Sequence, residues 1–240
     1  MKQLVEERIS PRPGAHFPLG ARAEVSAPPT PRRLEDHGTR LRHQQHVHIF
    51  REGDKADRVY QILDGAIMLY KLLPDGRRQI VELLGPGDVL GLSATPVYDC
   101  SAETLVAGSV AVHERAAIEA SPQLMTAISQ CMRSQISALH EHTVLLGRKS
   151  AIERVATFLM RSIPNRGGYG CKGAANSPKD RAVVRLRMTR QEIADYLGLT
   201  IETVSRAFSE LRRRGVVSIE KVDEVQINDV CGMCRITGAH

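Results

Sequence analysis

Long apolar runs are missing from this 240-residue chain. No stretch approaches the roughly 18 apolar residues that a membrane helix needs, so no transmembrane span and no membrane partner are expected. Met1 to Arg8 carry Glu6 and Glu7 and have no apolar segment of the kind a secretory leader requires. Cysteine is scarce: Cys100, Cys131, Cys171, Cys231 and Cys234, with none in residues 1–99. That sparse, odd set excludes a disulfide scaffold and fits a reducing, cytoplasmic compartment. No phosphate-cradling loop is present, because Gly85-Pro86-Gly87 reads as a turn. No Ser/His/Asp order stands out, so there is no sign of an enzyme.

What is present is the composition of an ordinary globular protein, 42% apolar and 25% charged. At roughly 150 residues per domain, the chain suits one large domain or two small ones. Its charge is uneven. Residues 1–149 hold 18 Lys/Arg against 17 Asp/Glu, whereas residues 150–240 hold 15 against 10. A basic final third invites a polyanionic partner.

The texture changes along the chain. Residues 1–40 contain six of the twelve prolines and no sustained period, so a loose or disordered arm is expected. From 41 to 118, short apolar runs alternate with Asp64-Gly65, Pro74-Asp75-Gly76-Arg77 and Gly85-Pro86-Gly87-Asp88. Each of these reads as a turn between strands, and the segment reads as an antiparallel barrel or double-sheet roll. Residues 119–149 read as a long helix that starts at Ser121-Pro122. Leu124, Ile128, Met132, Ile136, Leu139, Thr143 and Leu146 form its apolar stripe, which suits pairing with a second copy. Ile152 to Leu159 continue as a second amphipathic helix. Pro164 to Arg181 read as a loop, and Val184, Leu186 and Met188 as a half-buried strand.

The run from Thr189 to Arg206 is the most specific. Thr189 suits the cap of one helix, Ile193 and Leu197 its inner face, and Ala194 a close crossing. Gly198 suits a sharp turn that needs positive φ. Thr200 suits the cap of a second helix, with Val204 and Leu211 turned inward. Glu202, Ser205 and Arg206 then share one face at i, i+3, i+4. Arg can bond guanine O6 and N7 together, Glu can accept from cytosine N4, and Ser suits several base edges. Thr189, Arg190, Gln191, Thr200, Thr203, Arg212 and Arg213 are candidates for contacts to the DNA backbone. Val216 to Ile227 read as a hairpin wing, so residues 150–230 form a winged helix-turn-helix, with 231–240 left as a tail.

With these motifs in order, the chain resembles the CRP/FNR family of bacterial transcription regulators over roughly residues 45–230. Gly198 to Arg206 look like an FNR-type recognition helix, whose Glu, Ser and Arg read TTGA half-sites. Together with Tyr70 to Gln79 they are most similar to the FixK branch. The resemblance implies an α+β fold: an N-terminal antiparallel β-roll of the cyclic-nucleotide-binding, cupin-like type, a long dimerisation helix, and a C-terminal winged helix-turn-helix. It implies a homodimeric activator that binds double-stranded TTGA-N6-TCAA-like palindromes, contacts RNA polymerase, and controls microaerobic respiration and nitrogen-fixation genes.

The departures from the family bear on sensing. Without cysteine in residues 1–99, an iron–sulfur cluster of FNR type is excluded. Where cyclic-AMP-binding members place a Glu and an Arg, this chain has Leu92 and Cys100, so cyclic AMP is not expected and no cofactor is implied. The alternatives are a redox-, haem- or ligand-gated member of the family, and, from another class, a thiol oxidoreductase using Cys231 and Cys234. Cys100, Cys231 and Cys234 are the candidate redox thiols. The lone C-x-x-C, with Cys171 and Cys100 its only conceivable partners, does not make a metal site. His46 and His48 would share a side of a strand, read as a polar edge, and His140 and His142 do not face each other.

Overall fold

The computed structural model describes residues 38–163, 180–221 and 223–238. The expected N-terminal arm lies almost wholly outside them, as do most of the Pro164–Arg181 loop, Cys171 and the last two residues.

The first unit is an antiparallel roll of β1 (Thr39–His43), β2 (His48–Phe50), β3 (Arg58–Leu72), β4 (Arg78–Leu84), β5 (Val89–Leu90) and β6 (Ser101–Glu114). The main order is β1-β6-β3-β4, with β2 also on β6 and β5 also on β3. Asp64-Gly65 is a kink inside the long strand β3, correcting its reading as a turn. The register against β6 shifts on both sides of Asp64. Gly65 absorbs the kink at φ +88°, and a Cβ on the facing Gly108 would collide with the Asp64 carbonyl. Two glycines thus let both strands bend together without ending. Pro74-Asp75-Gly76 does form a true hairpin turn, with Gly76 at φ +84° and Leu73 N donating to Arg77 O at 2.8 Å. The roll is filled by Tyr60, Ile62, Leu69, Leu84 and Leu90, and Phe50 stacks on Tyr98 at 3.8 Å between centroids.

A short α1 (Arg115–Glu119) leads into α2 (Pro122–Arg148). Ser121 caps α2 and Pro122 opens it, as expected. At 1.5 Å per residue, α2 spans about 40 Å. Its apolar stripe, however, is divided. Leu124 and Ile128 pack under their own roll against Val59, Val89 and Ile118. Met132 and Ile136 stay 40% and 45% exposed, Leu139 is half-buried, Thr143 is exposed, and Leu146 packs on the main core. The spacing explains the split. Each step of four residues overshoots a full turn by about 40°, so three such steps from Leu124 to Ile136 rotate the stripe by about a third of a turn. The outward face follows a 3.5-residue period instead: Met125, Ser129, Met132, Ile136 and Thr143 are exposed, with the half-buried Leu139 among them.

Helix α3 (Ala151–Arg161) begins with a Ser150–Glu153 capping box. Beyond it lie β7 (Ala182–Arg185), α4 (Arg190–Leu197), α5 (Ile201–Arg213), β8 (Val217–Lys221), β9 (Glu224–Ile227) and α6 (Val230–Ile236). The second sheet runs β7-β9-β8, which confirms the wing and adds a third strand to it. The segment read as a tail contains α6. Asp229 caps it by accepting from Gly232 N at 2.7 Å, and Met233 and Cys234 are buried. Among the described residues, no helix is long and apolar enough to cross a membrane.

The main core crosses from one unit into the other. Met68, Tyr70, Ile80 and Leu105 of the roll belong to the same apolar cluster as Phe158, Ile193, Leu197 and Leu211. Each large side chain buried there contributes roughly 1.5–3 kcal/mol.

Candidate nucleic-acid interface

The helix-turn-helix is built by local rules that the sequence carries. Glu192 N donates to Thr189 Oγ1 at 3.2 Å, and Thr189 N donates to Glu192 Oε2 at 2.7 Å. This reciprocal box satisfies two donors at the start of α4. Gly198 ends α4 in the left-handed region at φ 61°, ψ 43°. Thr203 N then donates to Thr200 Oγ1 at 3.2 Å and starts α5. Val204, Ala207, Phe208 and Leu211 lie inward at helical spacing.

The opposite face of α5 is open. Glu202, Ser205 and Arg206 are all exposed, as is Ser209 one turn on. Hydrogen bonding from its own helix start and from Thr200 holds the Glu202 carboxyl below the usual carboxylate range, so it is an acceptor at neutral pH. Arg206 Nη2 donates to Thr203 Oγ1 at 3.1 Å, and Thr203 Oγ1 lies 3.1 Å from Thr200 Oγ1. A short hydroxyl relay therefore orients the guanidinium. Ser205 Oγ donates back to Ile201 O at 2.9 Å. The structure brings the three expected base-reading residues onto one solvent-facing surface.

The backbone candidates are more varied. The Thr189 and Thr200 hydroxyls are engaged in caps. Gln191 Nε2 donates to Asp195 Oδ1 at 2.7 Å. Arg190 lies half-buried with its guanidinium 3.6 Å from the Phe208 ring centre, and burial lowers its pKa. Arg213 and Arg214 both bind Glu210, at 2.7 Å and 2.8 Å, while Arg212 is exposed.

Sequence reasoning missed what holds this unit against the roll. Six consecutive residues of α4, Glu192 to Leu197, are buried. Arg78 Nε of β4 donates to Asp195 Oδ2 at 2.8 Å, and Gln79 Nε2 to Tyr196 O at 3.4 Å. His46 Nδ1 lies 3.2 Å from Glu103 and 3.7 Å from Glu192. His142 of α2 stacks on Tyr196 at 4.2 Å and 13°. Glu192 and Asp195 both face inward in α4, which nothing in the local sequence announces.

The other candidates sit apart from this face. Cys100 is half-buried on the roll, and burial together with Asp99 pushes its thiol up to about 12, so it is protonated at neutral pH. Cys231 donates to Asp180 Oδ2 at 3.5 Å, and Cys234 is buried in the core of α6. His46 lies in a turn at φ 58° rather than in a strand, and both it and His48 approach Glu103. Among the described residues, no group of three or more His, Cys, Asp or Glu is placed to hold a metal ion.

Comparison with known proteins adds two domain matches. Residues 40–123 match the cyclic nucleotide-binding domain, and residues 153–236 the Crp-like helix-turn-helix domain. The nitrogen fixation regulation protein FixK of Bradyrhizobium diazoefficiens is 42% identical over 192 residues, 78% of each chain. The transcriptional activatory protein AadR of Rhodopseudomonas palustris is 39% identical over 194 residues, 77% of this chain and 78% of that one. Among solved structures, that of FixK2 from Bradyrhizobium japonicum superposes with a TM-score of 0.67 at 32% identity, covering 83% of this chain and 96% of the other.

Proposed function

The chain belongs to the CRP/FNR family of transcription regulators, and from that premise we propose that it is a FixK-type activator that reads TTGA-N6-TCAA-like palindromes as a homodimer. The observation that carries this reading is the exposed Glu202–Ser205–Arg206 face on a helix anchored by four buried residues. A recognition helix needs both: side chains free to meet base edges, and a rigid mount.

The exposed 3.5-residue period on α2 supplies the pairing surface. Met125, Met132 and Ile136 are each 40% exposed or more, although they are apolar. A strict 3.5 period is the spacing at which two helices keep one seam in contact. Leu124 and Ile128 lie elsewhere and take no part. Two-fold pairing along α2 would set two α5 helices in successive major grooves, about 34 Å apart. Arg212 and Arg190 would add phosphate affinity without sequence preference. Bound in this way, the dimer would contact RNA polymerase and control microaerobic respiration and nitrogen-fixation genes, the last in keeping with the relatives named as nitrogen fixation regulation proteins.

No cyclic nucleotide enters this mechanism. Leu92 brings no carboxylate for a ribose, and Cys100 brings a neutral thiol where a cyclic phosphate needs a cation. Fluorescence anisotropy of the reduced, ligand-free protein on a TTGA-N6-TCAA duplex, against a scrambled duplex at the same salt, tests the reading. Selective binding is expected. Equal affinity for both duplexes would overturn it.

A further inference from the structure

One guanidinium closes two helix ends where α2, α3 and α4 meet. Arg154 lies in the first turn of α3. Its Nη2 donates to Leu146 O at 2.6 Å and its Nε to Lys149 O at 2.9 Å, both at the C-terminal end of α2. Its Nη1 donates to Leu197 O at 2.9 Å and reaches Gly198 O at 3.5 Å, at the C-terminal end of α4. The final carbonyls of a helix have no partner inside it, and they carry its negative dipole end. Here two such ends converge on one cation. The three groups lie side by side: a Cβ on Gly198 would be in ordinary van der Waals contact with Leu146 Cδ2 at 3.5 Å and with Arg154 Nη1 at 3.6 Å.

These two helix ends belong to the two parts of the molecule that matter for reading a palindrome. Helix α2 carries the exposed seam. Helix α4 carries α5 through the turn at Gly198. The angle between seam and reading face is therefore held at this joint by the Arg154 fork, beside the His142–Tyr196 stack. We propose that Arg154 is a positioning residue that sets the separation of the two reading helices, and so the spacer length accepted between half-sites. This rests on the dimeric, site-reading function proposed above. A lysine would keep the charge, but its compact ammonium lacks the planar fork that addresses both helix ends at once.

The test compares full-length wild type with Arg154→Lys and Arg154→Gln. Each is titrated by anisotropy on TTGA-Nn-TCAA duplexes with n from 4 to 8, on a duplex carrying one half-site, and on a scrambled duplex. Circular dichroism melting establishes that each variant is folded at the assay temperature. Wild type should favour N6 over N5 and N7. Both variants should lose about tenfold of that preference, while still preferring the single half-site to the scrambled duplex. A loss of affinity by the same factor on every spacer would overturn the proposal and leave Arg154 a residue of general stability. Melting of both variants below the assay temperature would also overturn it, making Arg154 a folding residue. Failure of wild type to separate the TTGA duplexes from the scrambled one would bring down the functional reading, and this proposal with it, without reference to Arg154.

Discussion

His142 should make the protein sensitive to mild acid. Its side chain is 6% exposed, it stacks on Tyr196, and neither ring nitrogen has a hydrogen-bond partner among the described residues. Burial, reinforced by Arg161 and Arg154, lowers its pKa from 6.5 to about 4. In the unfolded chain the imidazole takes up a proton below pH 6.5, while in the folded chain it refuses one until about pH 4. The neutral ring's contribution is thus fully present above pH 6.5, is lost progressively as pH falls toward 4, and changes no further below that. The cost is about 1 kcal/mol at pH 5.5 and about 2–3 kcal/mol at pH 4.5. Carboxylates titrate in the same range, so the quantity to measure is a difference. Urea unfolding of wild type and His142→Leu, followed by circular dichroism from pH 7.5 to 4.5, isolates it. Wild type should lose about 2 kcal/mol more than the variant over that span. Parallel stability curves for the two proteins would refute the argument.

Arg206→Ala should cost about 1–3 kcal/mol on the TTGA duplex and relax base preference, whereas an equal loss on scrambled DNA would make it a phosphate contact. Ile136→Glu places a charge in the middle of the exposed α2 seam, so sedimentation should show a monomer at micromolar concentration, with the melting of the isolated protomer little changed. Cys100 should react with iodoacetamide at pH 8 far more slowly than free glutathione, because its pKa of about 12 leaves almost no thiolate. Comparable rates, followed by peptide mapping, would contradict the buried, neutral thiol.

Helix α5 was legible because its determinants are local. Thr200, Val204 and Leu211 announce a cap and an inward stripe within twelve residues, and Gly198 marks the turn. The roll was legible in outline, but Asp64-Gly65 misled. A Gly that permits positive φ serves a turn or a bulge equally well, and only its partner Gly108, 43 residues on, decides between them. The α2 stripe misled because steps of four drift around a helix, and the sequence does not say when the roll stops covering it. Asp229, three residues before Gly232, is a local cap signal for α6. The junction was beyond local reasoning altogether. Arg78 and Asp195 are 117 residues apart, and nothing near either one names the other.

The apolar cluster shared by Met68, Tyr70, Ile80 and Leu105 with the helix-turn-helix has a consequence for modularity. A regulator assembled from separable parts could exchange its reading head for another and keep working. This one would be left with an uncovered oily face on β3, β4 and β6, and with the Arg78 cation facing no acid. Chimeras that graft a foreign reading head should therefore aggregate unless those positions on the roll are grafted with it. On the reading proposed above, a change of target specificity would be confined to the exposed side of α5, where Glu202, Ser205 and Arg206 can vary without disturbing the joint beneath them.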